Sequence, residues 1–302
     1  MSYTQPKLPK NEKSEVKSKV VELLANKPEI PGRVLNTDPK RFDVFYQKPI
    51  LNRRGMVWDQ KTTALTQYVT DYIAGLLLTD SSCQLDFDNI LGICRSNPYN
   101  QKHDGKSGKS TSNRLEEIKA IHIWEQGKQK GIPGIGKILD YQVPLKDKRT
   151  DKAGKIDLLA YDEQKGILRI LELKIYDNEN DSLLRTVLEG ETYKSILCNT
   201  KRTKNAGAHS GLDKLAQKQE YNIPWFENVI ACPLLLIKAD DLKYLKCSPC
   251  STTLGPKCRA YRELCDRRNF PNVYKLAFNQ LHQEAIVIVE DKTGFRVVQK
   301  IK

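Results

Sequence analysis

The 302-residue chain is 39% hydrophobic and 29% charged, the composition of an ordinary globular protein with enough apolar mass for a core. No stretch approaches the roughly 20 apolar residues that cross a bilayer, the start Met1-Ser2-Tyr3 lacks the basic-then-apolar pattern of a signal peptide, and eight cysteines are too sparse for a disulfide scaffold. The expected setting is the cytosol, without a membrane partner, and the net charge of +13 points to a polyanion, nucleic acid first.

The basic excess is no detachable tail: residues 1–110 hold 17 basic and 12 acidic side chains, and the rest 33 and 25. Residues 12–26 read as a short helix with Val16, Val20, Leu23 and Leu24 on one side. A stronger helical pattern runs from about Trp58 to Leu78, where Leu65, Val69, Tyr72, Ile73 and Leu76 recur at helical spacing. Leu85 to Cys94 is a further short helix. From Ser96 to Asn113 almost nothing is apolar, which marks an exposed linker and the main boundary. The helical region 1–110 suits DNA gripping or homodimer formation.

Downstream the pattern is mixed α and β. A helix is expected over 112–130, with Ser112 or Asn113 near its cap and an apolar face of Leu115, Ile118, Ile121, His122 and Glu125. Strands follow at Ile138–Leu145, Lys155–Tyr161 and Ile167–Ile175, then a helix over 181–198 and a basic stretch from Lys201 to Lys218. Val229–Ile237 reads as a buried strand in which Pro233 favours an edge position or a bulge. The C-terminus is a hairpin, Ala285–Glu290 and Phe295–Ile301, turning at Asp291-Lys292-Thr293-Gly294.

Two of these strands carry charges where charges are costly. Glu172 and Lys174 lie two apart in Ile167–Ile175 and so share a face. Asp157 sits in the apolar run that follows Gly154. If Glu163 to Gly166 form the turn, Asp162 faces Ile167 and, counting back, Asp157 faces Glu172. Facing side chains have Cβ atoms about 4.5–5.5 Å apart. Two carboxylates so placed repel unless a divalent cation sits between them. Metal-assisted phosphodiester hydrolysis needs such a pair, with Lys174 orienting or deprotonating water or neutralising the phosphate. The plainer alternative is a Glu–Lys pair on a half-exposed strand, with Asp157 bonded to a loop.

The span from Ser112 to Ile237 resembles the PD-(D/E)XK nuclease superfamily, through Asp157 as first acid, Glu172 as second and Lys174 as the lysine. Ile156 stands where that motif has proline. The resemblance implies a restriction-endonuclease-like α/β core over 111–302, a mixed central sheet flanked by helices, and Mg2+ or Mn2+ as cofactor. It also implies a further metal-binding, catalytic acid from the first helix, for which Glu117 is chosen because it lies nearer the apolar face than Glu116. In the RecB-like branch a helix histidine takes that place, which makes His122 the rival. Glu189-Gly190-Glu191-Thr192-Tyr193 is similar to that branch's Gln-x-x-x-Tyr element, with Glu189 for Gln; Tyr193 as a packing residue is the alternative.

Cys247, Cys250, Cys258 and Cys265 have ligand-like spacing, which suits zinc or an iron–sulfur cluster. By the same resemblance, Cys94 with Cys247, Cys250 and Cys258 is the analogous cluster set. Gly105-Lys106-Ser107-Gly108-Lys109-Ser110 has the composition of a phosphate-binding loop, but His103 replaces its first glycine and no apolar strand leads in, so it reads as linker. The expected function is metal-dependent hydrolysis of phosphodiester bonds, in DNA more than RNA; the alternative is an inactive nuclease fold acting as a nucleic-acid-binding or scaffold module.

Overall fold

A computed structural model of the chain describes residues 114–144, 155–179, 181–198, 228–246, 256–265 and 274–302. The helices expected over 12–26, 58–78 and 85–94, the linker, the glycine-rich stretch 105–110, the basic stretch 201–218, and Cys94, Cys247 and Cys250 lie outside the described residues.

Helix α1 (Leu115–Lys130) leads into strands β1 (Lys137–Pro144), β2 (Lys155–Asp162) and β3 (Ile167–Lys174). Helix α2 (Leu183–Cys198) precedes β4 (Asn228–Ile237), a helical turn at Lys243–Lys246 and the short helix α3 (Arg259–Cys265). A helical turn at Lys275–Gln280 then leads to β5 (Ala285–Asp291) and β6 (Gly294–Ile301). The described strands form one six-stranded sheet in the order β1-β2-β3-β4-β5-β6. Pairing is antiparallel from β1 to β3, parallel through β4 and β5, and antiparallel again at β6. No described helix is long and apolar enough to cross a membrane.

Alternation along the strands assigns the two faces. Leu158, Leu171, Leu173, Leu234 and Ile286 pack with Ala120, Ile123 and Trp124 of α1 in one cluster. The neighbouring positions turn to the other face, under α2. There a Cβ added to Gly190 would lie 3.2 Å from the Cβ of Ala231, so the glycine lets helix and sheet approach closely. Central β3, covered on both sides, is buried at every position after Ile167, yet Arg169, Glu172 and Lys174 interrupt the apolar run that a strand buried on both faces usually shows.

The hairpin register is as the turn length dictates: Asp162 pairs with Ile167 and Leu158 with Leu171. Gly166 turns the chain at φ 62°. The C-terminal hairpin also forms, with Asp291 opposite Gly294. Pro233, however, is not in an edge strand, because β4 lies between β3 and β5. It stands opposite Glu172 in the ladder with β3, and the ladder with β5 begins at the next residue, Leu234 opposite Ile286.

The N-cap of α1 is Arg114, one residue beyond Asn113 and two beyond Ser112, and it makes no side-chain cap bond. The buried stripe is Ala120, Ile121, Ile123, Trp124 and Gly127; Ile121 of the expected face is thus buried, while His122 and Glu125 are exposed. The rotation is set by close contact at Gly127, where a Cβ would lie 2.2 Å from Cγ1 of the buried Ile138. The Gln126 amide fixes the helix to β6, donating to the Phe295 carbonyl at 2.8 Å and accepting from its N–H at 2.6 Å.

Gly127→Val is therefore expected to force α1 off the sheet and to lower stability by about 1–3 kcal/mol, the usual cost of overpacking. Denaturant unfolding measures it; an unchanged midpoint would contradict the packing described.

Candidate active site

Asp157, Glu172 and Lys174 come together at the end of the β2–β3 hairpin away from its turn. The Asp157 carboxylate accepts from Leu173 N–H at 3.0 Å and from Gln142 Nε2 at 2.9 Å. Gln142 can reach because β1 shifts register between Ile138 and Asp140 and because its own φ is 50°. Lys174 Nζ donates to Glu172 Oε1 at 2.9 Å, with both side chains buried. The second Glu172 oxygen, Oε2, is buried and finds no hydrogen-bond partner.

Helix α2 contributes from the other side. Lys174 Nζ lies 3.5 Å from Glu189 Oε2 and 3.7 Å from Asp181 Oδ2. Arg185 bridges the same two acids, at 2.7 Å to Asp181 and 2.9 Å to Glu189. Asp181, Arg185 and Glu189 follow one another at intervals of four, the spacing that stacks side chains along one helix face.

The acid that α1 directs here is Glu116 rather than Glu117. Glu116 accepts from Asn178 Nδ2 at 3.4 Å and senses the charges of Lys174, Asp157 and Asp181. Glu117 instead pairs with Lys155 at 2.9 Å and Arg114 at 3.6 Å. Glu116 lies four residues before Ala120 and Glu117 four before Ile121, both buried, so helical spacing alone does not separate the two acids and their partners do. His122, on the exposed side, does not reach the site. Tyr193 is buried, and Glu191 bonds Lys194 and Gln283 rather than Lys174.

Five carboxylates, those of Glu116, Asp157, Glu172, Asp181 and Glu189, thus surround two cations, Lys174 and Arg185. Burial pushes Glu116 up to about 7; Lys174 works against this, and Asp157 and Asp181 add to it. Burial also raises Asp157, against the opposing effects of Lys174, the Leu173 N–H and Gln142. Glu172 is raised well above the carboxylate range by burial and then by Asp157, although Lys174 is bonded to it. Burial favours the neutral form of Lys174, but Glu172, Glu189, Glu116 and Asp181 outweigh it and hold the ammonium charged. The two ends of one ion pair thus behave oppositely. A single ammonium shared among four acids stays protonated, while Glu116 and Glu172 stay under-compensated. Asp181 is held well below the usual range: burial opposes this, but Arg185 and Lys174 prevail.

This donor set fits a hard divalent cation, which prefers several carboxylate oxygens. The unpartnered Glu172 Oε2 and the surplus negative charge are what such an ion would satisfy. Among the described residues, no three Asp, Glu, His or Cys side chains already stand in ligand geometry, so binding would draw the carboxylates inward. Cys258 is buried, its thiol pushed up to about 12 by burial, and Cys265 is half-buried.

Comparison with family models, curated proteins and solved structures finds no match to this chain.

Glu116, Asp157 and Glu172 hold protons in the folded protein at pH values where the unfolded chain has released them. Such groups stabilise the fold at low pH, and that contribution is lost as pH rises. In chelator, stability is thus expected to fall as pH rises from 4.5, the ordinary value, through about 7, the Glu116 value. Glu172→Gln keeps the shape and removes a charge the site disfavours. It should melt higher than wild type in chelator at neutral pH, yet gain less from magnesium. Lower stability in chelator, with equal gains from magnesium, would contradict a shared cation.

Proposed function

We propose that this protein is a metal-dependent nuclease hydrolysing phosphodiester bonds, in DNA more than RNA, with a restriction-endonuclease-like core. The observation that carries the reading is the convergence of Asp157, Glu172 and Lys174 in a buried, carboxylate-rich site. The element order supports it: a helix, three antiparallel strands, a helix and a parallel strand match the order that the resemblance implies. The net charge of +13 supports a polyanionic substrate.

Asp157 and Glu172 would hold magnesium or manganese, with Glu116 as the acid from α1. A bound cation would fix a phosphate oxygen, lower the pKa of a water and stabilise charge as it develops. Lys174, held as an ammonium by the surrounding acids, is unsuited to act as a base and suited to neutralise charge on the phosphate or to orient water. Asp181, Arg185 and Glu189 keep that ammonium in place.

The second reading is an inactive nuclease fold that binds nucleic acid or serves as a scaffold. One observation favours it: the Lys174–Glu172 pair and the two bonds to Asp157 are complete without any substrate.

Cleavage assays on linear DNA, circular DNA and RNA, with magnesium or manganese, separate the two. Wild type is expected to cleave, chelator to stop it, and Lys174→Ala to slow it by about 10²–10³-fold, the usual cost of removing one charge-stabilising donor. Asp157→Asn should also lose cleavage while folding well. Its Oδ1 can take the Leu173 N–H, and its amide can face the otherwise unpartnered Gln142 Oε1. Wild type that binds nucleic acid but cleaves none of these substrates would support the scaffold reading instead.

Binding is expected to rest on many phosphate contacts and to weaken steeply from low to physiological salt. Filter binding across that range measures it; a flat response would count against nucleic acid as the partner.

A further inference from the structure

We propose that Glu263, on α3, is a positioning residue for the metal-binding site, setting where α2 lies relative to Lys174. This inference rests on the nuclease reading. Glu263 is only 4% exposed, and its Oε2 accepts from Leu183 N–H, at the first residue of α2, at 2.7 Å. Its other oxygen accepts from Arg259 Nε at 2.8 Å. The Arg259 backbone N–H in turn donates to the Asn178 carbonyl at 2.9 Å. The Asn178 side chain then bonds Asp181 at 2.9 Å and Glu116 at 3.4 Å. Through the Glu263 side chain and the Arg259 backbone, α3 therefore touches both the start of α2 and the β3–α2 loop, whose Asn178 bonds Glu116 of α1.

A helix cap alone does not account for this arrangement. Ser182 already caps α2, with its Oγ accepting from Arg185 N–H at 3.1 Å. Ala260, Tyr261 and Leu264 already bury apolar surface on α3. Burying a carboxylate and a guanidinium there costs desolvation that an apolar contact would avoid. What the pair adds is direction, because hydrogen bonds fix α2 along its axis where apolar packing lets it slide. A slide of one residue is about 1.5 Å. Lys174 lies 3.5 Å from Glu189 and 3.7 Å from Asp181, so even a fraction of that slide would break the grip on the ammonium.

The test uses the full chain with Mn2+ alone as probe, and follows thermal stabilisation against Mn2+ concentration alongside cleavage. Glu263→Ala and Glu263→Gln are each expected to raise the Mn2+ midpoint by about tenfold, the scale seen when a residue behind a metal ligand is lost. The fraction folded by circular dichroism at assay temperature should stay unchanged. Gln283→Leu is the control. It removes bonds from Gln283 to the Val187 carbonyl at 3.2 Å and to Glu191 at 3.1 Å, on α2 but away from Lys174. It should lower the melting temperature without moving the midpoint. If the alanine variant does not fold, the glutamine variant, which keeps one acceptor oxygen, decides. An unmoved midpoint in a folded Glu263 variant, with wild type binding and cleaving, overturns the positioning role and leaves the nuclease reading standing. Wild type that is not stabilised by Mn2+ overturns the nuclease reading and this inference with it.

Discussion

One ammonium shared among too many carboxylates governs this structure. Lys174 is within ion-pair distance of Glu172, Asp181 and Glu189, and it also senses Glu116. Buried charge is tolerated only when it is compensated, and here the compensation is incomplete. Asp157 and Glu172 have their ionisation suppressed by burial, Glu172 also by the charge of Asp157, and one oxygen of Glu172 stays unpartnered. A site designed only for stability would carry fewer acids or more bases. The imbalance is physically meaningful if a cation completes it, and the nuclease reading follows from that.

The fold creates this crowding by simple means. The β2–β3 ladder ends at Leu158 opposite Leu171, which leaves Asp157 and Glu172 as the next residues beyond it, and strand alternation adds Lys174 to the face of Glu172. Asp181, just before α2, and Arg185 and Glu189 on α2 form one stripe against Lys174, while α1 brings Glu116 in at the edge. At the far end of β3 lies a second buried ion cluster. Arg169, fully buried, is met by Glu284, by Asp162 at 3.0 Å and by the Ile135 carbonyl at 2.7 Å, while its Nη2 has no hydrogen-bond partner. That network joins β2, β3, the residue before β5 and the α1–β1 turn. The same strand thus carries two buried ion clusters, and the one around Lys174 gathers the more acids.

The hairpin was legible in the sequence because turn length and two-residue alternation together fix register. Asp157, Glu172 and Lys174 followed from it. The rotation of α1 was legible only in part. Ile121 of the expected face is buried, but so are Ala120 and Gly127, small residues that give no hydrophobic signal. The buried stripe is therefore wider than the apolar residues suggest, and Glu116 rather than Glu117 senses Lys174. Asp181, Arg185 and Glu189 are visible as a run at intervals of four, but nothing local shows that this stripe turns toward Lys174. Pro233 misled because its strand is paired on both sides, a tertiary fact that the residue itself does not show.

The most direct test of the central claim is diffraction from Mn2+-soaked crystals, recorded near the manganese absorption edge. The account predicts an anomalous peak bonded to oxygens of Asp157 and Glu172, with Glu172 Oε2 among its ligands. No peak there at saturating Mn2+, with Lys174 still paired to Glu172 and Glu172 Oε2 still unpartnered, would contradict it and leave the cluster as a structural ion network.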